Sequence, residues 1–245
     1  AIGGAMWGGS DDQKSVAAIR ASIDHGISLI DTAPGYGLGH SEELVGQAIK
    51  GRRDKVTIAT KCGLNWHHKK GEYFFDQYGK SVHRYLGAEG IIHELEESLR
   101  RLGTDYVDVY ITHWQDASTP VAETLATLER LKEQGKIRAI GASNLTEAEL
   151  AEYIRGGPLD CIQERFSMID PGIKDTLLPL IKSLGVATLS YSPLAMGLLT
   201  GKIAPERRFV GDDVRADDPR FSAECRVAVR SFEDELGPIL RDLGA

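Results

Sequence analysis

One pattern recurs along this chain and restricts the folds that it can adopt. A stretch with helical spacing of apolar residues ends at a glycine, and a short run rich in Val, Ile and Thr follows it. The first helix, for example, carries Val16, Ile19 and Ile23 on one face and ends at Gly26. The strands predicted in this way lie at residues 27–31, 56–61, 107–113, 137–141, 159–165 and 186–191.

Strands that alternate with helices form parallel β–α units, so the sequence predicts an α/β fold. Six strand runs suit either a doubly wound sheet or most of an eight-stranded barrel. The barrel requires two further strands, one before residue 1 and one after residue 245. The chain begins with Ala-Ile-Gly-Gly and stops just after the helix-end signal Leu243-Gly244. We therefore expect both natural ends of the protein to lie outside these 245 residues.

The composition argues against several classes of function. The net charge is −7, with 36 acidic and 29 basic residues, which argues against general binding of nucleic acid or of an anionic membrane. No apolar run reaches the ~18 residues that a membrane span needs. Cys62, Cys161 and Cys225 are odd in number and far apart, which favours reduced thiols and a cytoplasmic location. His67 and His68 are too isolated to indicate a metal site, so we predict none.

Two segments interrupt the regular pattern. Residues 63–87 form a long connection rich in aromatic side chains, and residues 203–221 are rich in Arg and Asp with little periodicity. Long connections in a compact domain are usually functional or mobile, so both segments are candidate lids. The first could equally be a surface excursion that covers an apolar wall.

Ionisable residues close three of the predicted strands. Asp31, Lys61 and His113 each end a run of apolar or β-branched residues, and Tyr36 follows Asp31 in a glycine-rich turn. Because the carboxyl ends of parallel strands share one face, we expect these four residues, the strand-end cluster, to meet there. A buried carboxylate that ties down its own loop would explain Asp31 alone, but packing explains three ionisable strand ends poorly.

The residue types of the strand-end cluster suit the delivery of a proton. An ammonium group at Lys61 would make Tyr36 a better acid, and Asp31 would keep the lysine charged. His113 could orient a carbonyl group or share the proton. No amino-acid side chain supplies a hydride, so a reduction at this site would need a cofactor.

Polar residues at the remaining strand ends are candidate cofactor contacts. Ser143, Asn144 and Gln163 could bind an amide such as that of nicotinamide, and Tyr191 could stack on a flat ring. Residues 192–202 offer backbone N–H groups and a lysine to phosphates. The candidate contacts in this loop are Ser192, Leu194, Gly197 and Lys202. The sequence contains neither the Rossmann glycine spacing nor a complete P-loop.

These motifs together resemble a known family. The run Asp31-Thr-Ala-Pro-Gly-Tyr36-Gly-Leu-Gly-His-Ser41-Glu42, with Thr60-Lys61 and Thr112-His113-Trp114, is similar to the signature of the aldo-keto reductase superfamily. The opening Met6-Trp7-Gly-Gly and the run Gly197-Leu-Leu-Thr-Gly-Lys202 resemble its bacterial general-stress branch. The resemblance implies a (β/α)8 TIM barrel formed by residues 1–245 as one domain, with the first and last strands outside the chain.

The resemblance also implies roles for the candidate residues. Tyr36 becomes the general acid, Lys61 and Asp31 tune it, and His113 orients the carbonyl. Ser143, Asn144 and Gln163 become the carboxamide contacts, Tyr191 the residue that stacks on nicotinamide, and residues 192–202 the pyrophosphate cradle. Trp7 and Trp114 are candidate walls of the substrate pocket, although ordinary packing explains them equally well.

The family reduces aldehydes and ketones with NADPH, so the resemblance implies a small-molecule carbonyl substrate and this cofactor. Its contacts to the adenosine 2′-phosphate lie mainly beyond Ala245, so only the resemblance favours NADPH over NADH. The alternative is a regulatory subunit that holds the cofactor as a redox sensor with little turnover. A barrel that processes sugars or phosphates without nicotinamide is a third possibility. The aromatic residues suggest small apolar or aryl aldehydes as substrates.

Overall fold

The computed structural model describes residue 2 and residues 4–242. Within that part of the chain, no helix is long and apolar enough to cross a membrane. The helices are α1 (Asp12–Asp24), α2 (His40–Ile49), α3 (Ala88–Leu102), α4 (Val121–Glu133), α5 (Glu147–Gly156), α6 (Leu177–Leu184) and α7 (Ala223–Asp242). The strands are β1 (Leu29–Asp31), β2 (Thr57–Cys62), β3 (Leu64–Asn65), β4 (Glu72–Gln77), β5 (Lys80–Arg84), β6 (Val107–Thr112), β7 (Ile137–Ser143), β8 (Cys161–Arg165) and β9 (Ala187–Tyr191).

Six strands form one parallel sheet in the order β1-β2-β6-β7-β8-β9. This spatial order is also the chain order, and every neighbouring pair is parallel. A doubly wound sheet reverses direction at a switch point, whereas barrel strands follow one another in sequence. The observed order therefore confirms the α/β class and the (β/α)8 barrel topology.

Local sequence signals mark several of the helix ends. Thr146 and Glu149 form a reciprocal capping box at the start of α5. The ends of α3 and α6 are Gly103 and Gly185, at φ of 64° and 69°, a left-handed conformation that favours glycine. The repeated helix–glycine–strand pattern thus has its physical basis in these helix ends.

The main apolar core lies between the sheet and the helices that cover it. Ile58 and Ile140 from the sheet are fully buried, as are Leu95 of α3 and Leu128 of α4. This packed layer fixes the strands relative to one another, so the residues at their carboxyl ends are held at defined separations.

The segment 63–87 is not a long connection without regular structure, as the sequence analysis assumed. Strands β3, β5 and β4 form an antiparallel sheet in which Gln77 pairs with Lys80. The two residues between them, Tyr78 and Gly79, have φ of 49° and 71°, as in a two-residue hairpin turn. The prediction of an irregular connection was therefore wrong, and a lid role for this segment stays a prediction.

The segment 203–221 contains two short 3-10 turns and packs against the loop that carries Trp7. The Asp212 carboxylate accepts hydrogen bonds from the backbone N–H of Met6 at 2.7 Å and of Gly8 at 3.0 Å. The Arg215 guanidinium lies 5.1 Å from the centre of the Trp7 ring. These contacts hold the segment beside the carboxyl ends of the strands, and its role as a lid also stays a prediction.

Candidate functional site

Backbone pairing brings the strand-end cluster together. Asp31 is the last residue of β1 and pairs with Ala59 of β2, two residues before Lys61. The His113 N–H donates to the Cys62 carbonyl at 2.9 Å, which places His113 beside the end of β2. The turn after β1 then carries Tyr36 back over this edge of the sheet. The expectation that these four residues share one face agrees with the geometry.

Lys61 is the centre of the cluster and is only 1% exposed. Its ammonium group donates to both carboxylate oxygens of Asp31, at 2.9 and 3.0 Å, and to the Thr32 carbonyl at 2.8 Å. It also lies 3.3 Å from the Tyr36 hydroxyl oxygen. Burial by itself lowers the pKa of Lys61, but its interactions with Tyr36 and Asp31 more than offset this, so the pKa is raised. Lys61 is therefore a positive charge beside the phenol.

His113 completes the cluster as a neutral group. Burial, followed by repulsion from Lys61, holds its pKa well below the ordinary value for histidine. Its ring meets the Tyr36 ring edge-on, with centroids 5.7 Å apart. The buried Nδ1 has no hydrogen-bond partner among the described residues. A neutral imidazole beside the phenol can hydrogen-bond to a ligand without adding a second positive charge to the site.

The candidate carboxamide contacts adjoin the cluster through direct hydrogen bonds. Gln163 Nε2 donates to Asp31 Oδ1 at 2.8 Å, and Ser143 Oγ donates to the backbone carbonyl of Gln163 at 2.6 Å. Asn144 Nδ2 donates to the His113 carbonyl at 2.8 Å, and the Tyr191 hydroxyl donates to Asn144 Oδ1 at 2.8 Å. The strand ends of β7, β8 and β9 are thus connected to those of β1 and β6.

A cavity of about 370 Å³, the Tyr36 cavity, opens beside the cluster. It is lined by Trp7, Asp31, Tyr36, Tyr191 and Ser192, among others. This volume and this mixture of aromatic walls with a few polar groups are typical of small-molecule sites. The cavity and the amide-rich edge formed by Ser143, Asn144 and Gln163 fit a nicotinamide group in size and in hydrogen-bonding chemistry.

Several of the remaining candidates do not line the Tyr36 cavity. Trp114 does not line the Tyr36 cavity; its ring lies 5.3 Å from that of Phe74, and it borders a second cavity beside α4 and α5. Leu194 is 54% exposed and Lys202 is exposed, both near an irregular 3-10 segment that contains Gly197 at φ 100°. Their cofactor contacts stay predictions. Within the described residues, no group of three or more His, Cys, Asp or Glu is placed to bind a metal ion.

Gln77 is a residue of the Tyr36 cavity that the sequence analysis missed. It is the last residue of β4, directly before the turn of the β4–β5 hairpin. The signal that predicts this hairpin is the Tyr78-Gly79 dipeptide between two runs rich in aromatic and β-branched residues.

A buried polar layer beneath the cluster was also missed. Glu42, fully buried, accepts from Thr60 Oγ1 at 2.5 Å and from Arg101 Nε at 2.7 Å. Glu94, 2% exposed, accepts from the Gly63 N–H at 2.6 Å. Thr60 and Gly63 flank the segment that contains Lys61. These acids therefore support the strand end on which the ammonium group sits.

Glu94 makes the stability of this layer sensitive to pH. Burial raises its pKa to about 8 from the ordinary 4.5, even though the hydrogen bond from Gly63 lowers it. Between these two pKa values the folded protein keeps a proton that the unfolded chain releases. Because the unfolded state then binds fewer protons, the free energy of unfolding falls as pH rises from 4.5 to 8 and levels off above that.

We expect Glu94→Gln to remove this component, because the amide does not titrate and its oxygen can still accept from Gly63. The difference in the free energy of unfolding, variant minus wild type, should therefore increase by roughly 2–5 kcal/mol between pH 5 and pH 9. Urea unfolding at both pH values measures the difference. Parallel pH profiles for the two proteins would show that Glu94 is not protonated in the folded state.

Comparison with known proteins identifies relatives along most of the chain. A model of the Aldo/keto reductase family matches residues 1–234. The aldo-keto reductase YhdN of Bacillus subtilis is 44% identical over 90% of this chain, which covers 64% of that protein. The NADH-specific methylglyoxal reductase of Escherichia coli is 42% identical over 97% of this chain, which covers 73% of that protein. The chain thus spans about two thirds of the Bacillus protein and nearly three quarters of the other.

Solved structures agree with the sequence relatives. The glycerol dehydrogenase of Gluconobacter oxydans superposes with a TM-score of 0.86 at 38% identity, over 99% of this chain and 72% of that one. An aldo-keto reductase from Klebsiella pneumoniae, solved in complex with NADPH, has a TM-score of 0.66 at 35% identity, over 80% of this chain and 63% of that one.

Proposed function

Since this chain belongs to the aldo/keto reductase family, we propose that it reduces aldehydes or ketones to alcohols with a nicotinamide nucleotide. The single observation that carries the proposal is the position of Lys61, whose buried ammonium group joins Asp31 to the Tyr36 hydroxyl at the edge of the Tyr36 cavity. The bound cofactor supplies the hydride, which the protein cannot supply. The protein's part is to place the carbonyl and to deliver the proton.

In this proposal Tyr36 donates its proton to the carbonyl oxygen as the carbon is reduced. Lys61 lies 3.3 Å from the Tyr36 oxygen, so its positive charge stabilises the phenolate that remains. Asp31 holds the ammonium group in place through two hydrogen bonds and balances its charge in a buried position. After the transfer the phenolate, the ammonium group and the carboxylate together carry one net negative charge, which is removed when Tyr36 takes up a proton again.

His113 is proposed to orient the carbonyl. Its imidazole is neutral because burial and the charge of Lys61 hold its pKa well below the ordinary value. A neutral ring can donate one hydrogen bond to a carbonyl oxygen without competing with Tyr36 as the acid. The edge-on contact with the Tyr36 ring fixes the position of the imidazole relative to the phenol.

The residues that would hold the nicotinamide end are Ser143, Asn144, Gln163 and Tyr191, and those for the phosphates are Ser192, Leu194, Gly197 and Lys202. We propose NADPH as the cofactor, in line with the NADPH complex of the Klebsiella relative. The name of the Escherichia coli relative specifies NADH instead, so the choice of nucleotide needs a direct measurement.

Titration of the purified protein with NADPH and with NADH, followed by tryptophan fluorescence, tests the cofactor. Trp7 borders the Tyr36 cavity, so binding should quench its emission. We expect NADPH to bind at least tenfold more tightly than NADH. Stronger binding of NADH would reverse the cofactor assignment. Binding of neither nucleotide would contradict the proposed reduction.

A further inference from the structure

The peptide bond between Ser143 and Asn144 forms a turn directly after β7, and Gln115 holds its carbonyl. Ser143 is 1% exposed, and its backbone carbonyl accepts from Gln115 Nε2 at 3.0 Å. Asn144 has φ of 58°, a left-handed conformation that is uncommon for residues other than glycine. Without Gln115 the carbonyl would lose this partner in a buried position, and the turn would lose the bond that fixes its first peptide. Gln115 therefore stabilises the shape of this turn.

Gln115 is itself oriented by a chain of hydrogen bonds from the core. A carbonyl can only accept, so the amide nitrogen of Gln115 must face Ser143 and the amide oxygen must face Tyr153. The Tyr153 hydroxyl, on a fully buried side chain of α5, donates to that oxygen at 2.8 Å. Because this bond uses the only proton of the phenol, the buried Thr112 hydroxyl, 3.0 Å away, donates to Tyr153. All donors in this chain point toward the Ser143 carbonyl, an arrangement in which hydrogen bonds strengthen one another.

The turn carries two of the residues that the proposed function assigns to the nicotinamide amide. Ser143 Oγ donates to the backbone carbonyl of Gln163 at 2.6 Å. Asn144 Nδ2 donates to the backbone carbonyl of His113, and the Tyr191 hydroxyl donates to Asn144 Oδ1, both at 2.8 Å. The turn thus joins the ends of β6, β7, β8 and β9 at one corner of the site. A change in its shape would displace both polar side chains at once.

Gln115 stands outside the groups that carry the chemistry. It lines the second cavity, beside α4 and α5, and not the Tyr36 cavity. Its side chain bonds to Thr112, Ser143 and Tyr153, and not to Tyr36 or Lys61. Its connection to the site therefore passes through the turn, and proton delivery does not depend on it directly.

We propose that Gln115 is a positioning residue for the nicotinamide end of the cofactor, because it holds the turn at residues 143–144 in the shape that receives the amide. This inference rests on the proposed function, since it takes Ser143 and Asn144 as the amide contacts. A preformed turn removes the entropic cost of ordering these side chains when the nucleotide binds. Loss of the Gln115 bond should therefore weaken binding of the nicotinamide end and leave binding of the rest of the nucleotide unchanged.

Two ligands separate this role from a general loss of structure: NADPH, and 2′-phospho-ADP-ribose, which is the same nucleotide without nicotinamide. We expect Gln115→Leu to raise the Kd of NADPH about tenfold and to change the Kd of 2′-phospho-ADP-ribose less than about twofold, as measured by calorimetric titration. Gln115→Met should show the same selective loss. Tyr153→Phe leaves the donor to Ser143 in place and removes only the bond that orients it, so its effect on NADPH should be smaller. At saturating NADPH, kcat of the Gln115 variants should stay within about threefold of wild type.

Gln134→Leu, at the exposed end of α4, is the matched control and should leave both dissociation constants unchanged. If wild type prefers NADH, then NADH and ADP-ribose are the corresponding pair of ligands. Equal weakening of both ligands in the Gln115 variants would show a general disturbance of the site, and unchanged binding of both would show that the turn keeps its shape without Gln115. Either result overturns this inference and leaves the proposed function intact. If wild type binds neither nucleotide, the proposed function fails, and this inference fails with it.

Discussion

Replacing Tyr36 with Phe is expected to lower kcat for carbonyl reduction by about 10²–10⁴-fold, because the ring remains but the proton donor is lost. The phenyl ring keeps the edge-on packing against His113, so the shape of the site should persist. NADPH affinity should change by less than about threefold, since in the proposal Tyr36 acts on the substrate carbonyl. Steady-state kinetics and fluorescence titration of the same preparation measure the two effects separately.

Tyr78→Phe is the matched control for this substitution. Tyr78 is 66% exposed at the hairpin turn, so loss of its hydroxyl should leave the rate unchanged. If Tyr36→Phe retained more than about a tenth of wild-type kcat, Tyr36 would not be the general acid. A loss of NADPH binding equal to the loss of rate would indicate instead that the phenol supports the fold of the site.

The second large effect concerns the ion pair between Glu42 and Arg101. Their side chains are 0% and 6% exposed, and the Oε2–Nε distance is 2.7 Å. Removing one member leaves a buried charge without its partner, which typically costs about 3–5 kcal/mol. We therefore expect Glu42→Leu and Arg101→Leu each to reduce the free energy of unfolding by that amount, as measured by urea denaturation.

The double variant Glu42→Leu/Arg101→Leu should be more stable than the sum of the two single losses predicts, because it leaves neither charge unpaired. We expect an interaction energy of at least about 1 kcal/mol. Additive losses would show that the two charges do not depend on each other. Arg100→Leu is a control on the same helix, since Arg100 is 67% exposed and should cost less than about 1 kcal/mol.

The sequence predicted those parts of the structure that local patterns determine. The helix–glycine–strand repeat gave the parallel sheet, since glycine at a left-handed φ ends helices such as α3. Asp31, Lys61 and His113 were found because each stands directly at the end of an apolar strand, and parallel strands place their ends on one face. Topology alone was then sufficient to bring the cluster together.

Contacts between residues far apart in sequence could not be predicted in this way. Arg101 lies 59 residues from Glu42, and nothing in the local sequence of either shows that they meet. The hairpin that carries Gln77 was missed because the segment was taken as one connection, and Tyr-Gly is a weaker turn signal than Asn-Gly. The polar layer beneath Lys61 and the position of Gln77 could therefore be seen only in the three-dimensional structure.

Transfer of deuterium from NADPH labelled at the reactive C4 position of the nicotinamide tests the central claim most directly. Mass spectrometry of the alcohol formed from glycolaldehyde or propanal should show one deuterium on the former carbonyl carbon, over many turnovers. Tyr36→Phe should slow formation of this product by about 10²–10⁴-fold while nucleotide binding continues. Oxidation of NADPH without label in the alcohol, or a single slow turnover per protein molecule, would contradict the account and favour a redox-sensing role.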